Sequence, residues 1–428
     1  MTAEDAPVAD GDRRRQLNRI LVNLGAIVAV NLLSLVTGPI LAHALGPRDR
    51  GIFAAVLLWP TLVGSAVDLG VQDSVTYYTS RGDVDPRSVL ADSARLGVYQ
   101  SIGAALVGVP LVFLTMHRFG SAAVLSGLIY LAAMPFQIFA IYRMYILNGQ
   151  HRYNLFNFIQ VWVYLATALA YTGLLIAGVL SVRSAAISAA ACIASTWVLS
   201  VLVMRNMPVR GAPHVPGLLR NLCTYGLRSY ASNLPHMLND RVDQLIISVV
   251  LPARELGLYV VAATIASAPA YVGMAVANSV LPTLASLKTK QEQVSAARRS
   301  LALTVLLTAA AALVLIAIMN PFITLIFGHA FRGAITSARI LVLGSIVLSS
   351  TRSFHGLLKG LGHPSDAGWS EIGALAVTFI GLAISLPLLG IVGAAWTSLA
   401  AYTTSTLIGV YWAARRLEVH PLALFWRI

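Results

Sequence analysis

Charge is scarce in this chain. Asp, Glu, Lys and Arg make up 11% of its 428 residues, while 57% are hydrophobic, against about a quarter charged in soluble domains. With a mean hydropathy of +0.76, an ordinary soluble globule is excluded, and a polytopic membrane protein is indicated. Cysteine is almost missing. Cys192 and Cys223 stand far apart, one in an apolar run and one in a loop, so no disulfide framework is expected. Lysine occurs three times against 27 arginines, which reads as coding bias. No P-loop, CxxC, HExxH or GxSxG pattern occurs, and Gly360–Gly362 carries no nucleotide fingerprint. An ATP-hydrolysing machine, a nucleotide-binding protein and a metal enzyme are therefore not expected. Nor does a short apolar core with a small-residue cleavage site follow the polar start, so the first helix is read as uncleaved.

What is present is a series of apolar runs. Windows of about 20 residues give twelve spans, near 20–43, 52–74, 95–116, 121–146, 153–178, 184–204, 226–250, 257–281, 300–320, 334–357, 368–388 and 391–413. The expected organisation is a tail over 1–19, a six-helix lobe over 20–205, a Pro/Gly-rich linker over 206–225 and a second six-helix lobe with a short tail over 226–428. With the amino terminus inside, 22 of the 30 basic residues fall on inner segments, including Arg210, Lys288 and Arg427. Six fall on outer turns: Arg48, Arg50, Arg118, Arg183, Arg254 and Arg332. The positive-inside rule then places both termini in the cytoplasm. The net charge of +13 is topology, and no nucleic-acid partner is expected.

The two halves share motifs in order. Leu45–Phe53 (LGPRDRGIF) aligns with Leu251–Tyr259 (LPARELGLY) at an offset of 206, matching Arg48 with Arg254, Asp49 with Glu255 and Gly51 with Gly257. Leu147–Gln150 parallels Leu358–Leu361, and Ser184–Ala186 parallels Gly393–Ala395. A duplicated six-span unit, repeated in the same orientation, accounts for this order.

The seventh span carries Asn233–Gln244, NLPHMLNDRVDQ. Two aspartates and an arginine at mid-membrane depth cost about 2.5–3.5 kcal/mol each on insertion scales. On a continuous helix, Asn233, His236, Asp240, Asp243 and Gln244 share one face within about 80°, with Arg241 at its edge. Such a stripe lines a polar pathway or locks two helices together. Arg241 is the candidate for a phosphate or pyrophosphate, whose oxygens match its fork. Asp240 and Asp243 either hold Arg241 in place or take a coupling proton or Na⁺. Asn233, His236 and Gln244 are further substrate-contact candidates. Asn31, with Ser34 and Gly38, occupies the matching face of the first span and is either an opposing wall or a packing stripe. Asp68, Arg143, Arg352 and Glu371 are read as span-end charges that snorkel or pair at an interface.

Tyr225–Tyr259, with YGLRSYASNL, LNDRVDQLIIS and LGLY, resembles the lipid-linked oligosaccharide flippases of bacterial polysaccharide biosynthesis. Gly356–His363 (GLLKGLGH) and Gly390–Ala395 (GIVGAA) are similar to that family's eleventh- and twelfth-span signatures. The resemblance runs along essentially the whole chain. It implies an all-α membrane fold of two pseudo-symmetric six-helix bundles around a central cavity, alternating in access within a bacterial cytoplasmic membrane. The implied substrate is an undecaprenyl-pyrophosphate-linked oligosaccharide, with membrane lipids and other polysaccharide-assembly proteins as partners. The family's charged seventh-span motif falls on Asn239, Asp240, Arg241 and Asp243. The first span lacks the arginine used by the lipid II branch, which argues against that branch. The rival expectations are an ion-coupled multidrug exporter of the same superfamily and, with its outer loops too short for it, a membrane-embedded glycan polymerase. No catalytic residue is assigned.

Overall fold

The computed structural model describes residues 10–207, 211–286 and 289–425. Arg210, Lys288, Arg427 and the first nine residues of the expected tail lie outside the described residues. The described chain is helical throughout and contains no strand. In lipid, helices satisfy every backbone polar group internally, so this is the architecture that such apolar runs demand. Among the described residues, eight helical stretches are long and apolar enough to cross a membrane.

The first lobe comprises α1 (Asp10–Asp68), α2 (Val71–Arg81), α3 (Pro86–Met116), α4 (Ser121–Ala132), α5 (Met134–Gly149), α6 (Tyr153–Ile176) and α7 (Val182–Val203). The second comprises α8 (Leu218–Asn239), α9 (Val242–Val250), α10 (Ala253–Ser286), α11 (Lys290–Ile326), α12 (Ile335–Gly360) and α13 (Pro364–Leu417). Two of these elements each hold two of the expected spans. α1 reverses at Gly46 (φ 68°, ψ 175°) and α13 at Gly390 (φ 57°, ψ −137°), conformations that glycine adopts without penalty. The expected fourth span is divided instead, because Pro135 opens α5 directly after α4. Helix α8 starts at Leu218, so the last part of the expected linker is helical.

Packing is different at the two ends of the molecule. At the end carrying the Gly46 turn, one apolar core runs through both lobes, joining Leu41, Phe53, Leu131 and Tyr171 to Tyr259, Ile265, Phe327, Leu341 and Ile391. At the opposite end the core divides in two. One is built on Val75, Val89, Tyr142 and Ile159, with Leu218 and Leu222 of α8, and the other on Leu301, Phe354, Leu358 and Val410. One core therefore spans the lobes at the Gly46 end, and beyond it the core of the first lobe takes in the start of α8.

The join is made by main chain. A Cβ placed on Gly51 would lie 1.8 Å from the carbonyl oxygen of Ala253, and one on Gly257 would lie 1.9 Å from that of Pro47. Pro47 and Gly51 are the offset-206 counterparts of Ala253 and Gly257, so the repeats meet through the same motif used twice. Lipid tails are as apolar as leucine side chains, so helices associate here by close packing, which small residues permit. Hydrogen bonds from three side chains reinforce the seam. Arg118 donates from both terminal nitrogens to the carbonyls of Val249 and Leu251, at the end of α9. Trp59 Nε1 donates to Ser248 Oγ at 3.1 Å. Nearer the other end, Ser229 donates to Asp73, Tyr77 stacks on Tyr225 at 4.3 Å, and Gly70 abuts the Gly226 carbonyl.

Candidate functional site

Between the lobes lies a cavity of about 460 Å³. The first lobe contributes Asn31 and Ser34 of α1 and Tyr164 of α6. The second contributes Asp240, Arg241, Asp243 and Gln244, with Tyr259 and Tyr271 of α10, Arg352 of α12 and Tyr402 of α13. Asn31 and Gln244, assigned from sequence to opposite walls, do face one space. The side chains of Asn31 and Ser34 also bond to the carbonyls of Ile27 (2.8 Å) and Val30 (2.9 Å) one turn back. Gly38 lies deeper in the seam, packed on Thr264 and Phe327.

The seventh span is not the continuous helix that the 100° periodicity predicts. It breaks at Asp240–Arg241, and Arg241 sits at φ −136°, outside the helical region. The cause is tertiary. Asn239 Nδ2 donates to both the backbone carbonyl (2.9 Å) and the side-chain Oε2 (2.6 Å) of Glu371 on α13. That tether holds the last residue of α8, and the chain restarts as α9 at Val242. A single helical face through Asn233, His236 and Gln244 is consequently lost. Asn233 is exposed and does not line the cavity. His236 instead borders a narrow cleft of about 20 Å³ inside the second lobe, with Asn239, Asp240, Glu371 and Thr378.

The carboxylates have different surroundings. Asp243 is braced on both oxygens, accepting from the Gln244 backbone N–H (2.6 Å) and from the Tyr259 hydroxyl (2.6 Å). Asp240 is half exposed at the cavity edge, 3.9 Å from His236 Nε2. Neither forms an ion pair with Arg241, whose side chain makes no hydrogen bond or ion pair to a described residue. The expectation that the aspartates clamp Arg241 is thus not what the structure shows. Arg241 is an exposed cation lining a space shared with Asp240, Asp243 and Arg352, and with hydroxyls, amides and tyrosine rings.

Two residues read as snorkelling span-end charges are interior. Arg352 lines the cavity, and the Glu371 side chain is only 12% exposed. Around Glu371 gather His236 and His355, each with Nδ1 3.4 Å from Oε1. Arg352, His355 and Lys359 recur at i, i+3 and i+7, a polar face on a helix. That pattern is the signal that could have placed them inside. Tyr164, Tyr271 and Tyr402 were also missed, since a tyrosine in an apolar span carries no label of its direction. Among the described residues no group of three or more His, Cys, Asp or Glu side chains is arranged to hold a metal ion.

Comparison with known proteins gives this geometry a family. No curated protein matches the sequence. Among known structures, an inward-facing multidrug resistance MATE family transporter of the MOP superfamily is similar, at 15% identity over 91% of this chain and 94% of that one, with a TM-score of 0.74. The lipid II flippase MurJ in an inward closed conformation is similar at 11% identity, over 93% of this chain and 89% of that one, with a TM-score of 0.76. A MOP superfamily transporter from Pyrococcus furiosus, described as having a binding pocket of reversed polarity, matches at 14% identity over 92% and 96% of the two chains, with a TM-score of 0.55. These likenesses establish the fold of two six-helix bundles. Residues 40–336, well over half of the chain, match the family described as "Polysaccharide biosynthesis protein". The chain belongs to that family, as a multi-pass membrane protein on the fold of the MOP-superfamily transporters and flippases.

Proposed function

We propose that this protein flips a lipid-linked oligosaccharide precursor, carried on an undecaprenyl pyrophosphate, from the cytoplasmic to the outer leaflet by alternating access of the central cavity. The observation that carries this reading is Arg241, a guanidinium with no ion pair among the described residues, presented to a cavity walled by both lobes. A guanidinium binds phosphate oxygens in fork geometry, and in a space partly shielded from water each such contact is stronger than in bulk. Arg352 adds a second cation to the same space. Tyrosines and amides suit sugars, offering ring faces and hydrogen bonds together. A cavity of about 460 Å³ lies within the usual range of about 300–1,000 Å³ for small-ligand sites, enough for a diphosphate and its first sugars. The polyprenyl tail stays in lipid.

In this reading the Gly46 end faces outward and is closed, and both termini lie in the cytoplasm of a bacterial inner membrane. Membrane lipids and other polysaccharide-assembly proteins are its surroundings. The chain acts as a carrier without covalent chemistry or a bound cofactor, and transport is coupled to H⁺ or Na⁺. A second reading is the ion-coupled export of a cationic drug, which the half-exposed Asp240 favours. Arg241 and Arg352 repel such a cation, and the flippase reading is the better supported.

The test is a reconstituted vesicle carrying labelled undecaprenyl-linked glycan, read by lectin accessibility, with Arg241→Ala beside the wild type. Loss of one charge-assisted contact to phosphate, about 1.5–3 kcal/mol, predicts a drop in translocation of about tenfold or more. Wild-type vesicles that leave the glycolipid in place, yet expel a cationic dye down an ion gradient, would transfer the protein to the exporter reading.

A further inference from the structure

The second lobe holds a hydrogen-bond system in which one acid meets two imidazoles. Ser370 Oγ donates its single proton to the carbonyl of Ala367 at 2.7 Å. His355 Nε2 lies 2.6 Å from the same oxygen, and while the hydroxyl proton stays on the Ala367 carbonyl the bond is made by an Nε2–H. A neutral imidazole with its proton on Nε2 has a bare lone pair on Nδ1. That Nδ1 faces Glu371 Oε1 at 3.4 Å. Two acceptors confronting each other, with both side chains 12% exposed, are repulsive unless a proton sits between them. The other carboxylate oxygen, Oε2, accepts from Asn239, the residue at which α8 ends.

We propose that Glu371 and His355 share one exchangeable proton, delivered through His236, and that this proton sets the position of the α8/α9 break and with it Arg241. This rests on the flippase reading of the cavity and names the device that couples protons to it. The route is geometric. His236 is half exposed, its Nδ1 stands 3.4 Å from the same Glu371 Oε1, and its Nε2 approaches Asp240 at the cavity edge. When the proton leaves to solvent, an anionic carboxylate confronts the imidazole lone pair. Glu371 is driven off its seat, and the Asn239 tether moves with it. Glu371 is a positioning residue here, since it acts on the cavity through Asn239. Other charged or titratable groups within electrostatic reach of this cluster are Asp240 from α8, Arg352 and Lys359 from α12, and Tyr402 from the second half of α13.

The variant Glu371→Gln separates this role from a merely structural one. A glutamine presents an N–H to His355 Nδ1 and keeps its carbonyl for Asn239, reproducing the protonated arrangement with nothing to titrate. Asn239→Leu keeps the titrating pair and cuts the tether. Hydrogen exchange of the backbone over residues 236–245 is measured on the full chain in lipid nanodiscs, across pH and after correction for intrinsic rates. The wild type is expected to exchange about tenfold faster at the alkaline end than at the acid end. Glu371→Gln should stay slow throughout, and Asn239→Leu should be fast throughout, with protection in α3 unchanged in all three. A wild type whose junction exchanges independently of pH, or a Glu371→Gln variant that retains the wild-type pH profile, overturns the proposal. Translocation in parallel vesicles keeps the two ideas apart. Glycolipid movement with a pH-flat junction sinks only the proton device, and a pH-switched junction without glycolipid movement at any pH sinks only the flippase.

Discussion

Gly257→Ala is a sharp test of how the lobes are held. The new methyl would stand 1.9 Å from the Pro47 carbonyl oxygen, whereas real Cβ atoms essentially never come closer than 3.0 Å. The obstacle is backbone, so no side chain can swing aside. The seam must open by roughly 1 Å at least. Overpacking of this kind costs about 1–3 kcal/mol. The helix propensity of alanine, better than glycine by about 0.8–1.0 kcal/mol, acts equally whether the seam is closed or open, so it does not offset the clash. The ratio of closed to open molecules should fall by between about fivefold and 150-fold, at 1.4 kcal/mol per factor of ten. Spin labels at Arg48 and Arg254, with Cys192 and Cys223 changed to serine, would report this as a longer inter-label distance. Gly51→Ala should behave alike, because its methyl meets the Ala253 carbonyl at 1.8 Å, while Gly356→Ala, with nothing within 4 Å, is the control. If Gly257→Ala leaves the distance distribution of the wild type intact while the protein stays folded, close main-chain packing is not what seals this end.

Two further outcomes follow from groups at the helix ends. Arg118→Ala removes a fork that spans the carbonyls of Val249 and Leu251. The same spin labels should show opening equivalent to about 1.5–3 kcal/mol. Arg118→Lys should recover only part of it, since an ammonium cannot match two carbonyls in a fixed plane. At the start of α3, Asp85 accepts from the Arg87 backbone N–H (2.8 Å) and from its side chain (2.8 Å). The Arg87 side chain, and then its backbone N–H, hold the Asp85 carboxyl below its ordinary range. The stabilisation is therefore complete above the unfolded carboxyl value near pH 4 and is lost as pH falls through the lower folded value. Amide exchange in the first turn of α3 should be insensitive to pH-linked fraying above about pH 5 and should accelerate below it. Asp85→Asn should remove that acid step.

Much of the fold was legible because hydropathy reports what lipid tolerates, and lipid tolerates helices. Twelve spans, a six-plus-six division and a repeated motif were all readable without contacts. The repeat even pointed to Gly51 and Gly257, which the structure brings to the opposite lobe's carbonyls. Direction within the membrane was harder to read. In a soluble helix the polar face is the outside, so periodicity tells which way a residue points. In a span, both a lipid-facing and a packed side are apolar, and the few polar residues carry the whole signal. That signal is only as good as the continuity of the helix. Asn31, for which an opposing wall and a packing stripe are both open from sequence, lines the cavity on a helix unbroken from there to Gly46. Asn233 and His236 were misgrouped with Gln244 because the helix breaks between them, and its cause, Glu371, lies 132 residues further along the chain. Glu371 and Arg352 look like interfacial charges by distance from the span ends alone. A break in a membrane helix leaves backbone and charge together at depth, and it persists only where a partner supplies the missing bonds. The polar residue that ends α8 and the acid that holds it are therefore one feature, and reading either from sequence requires finding the other first.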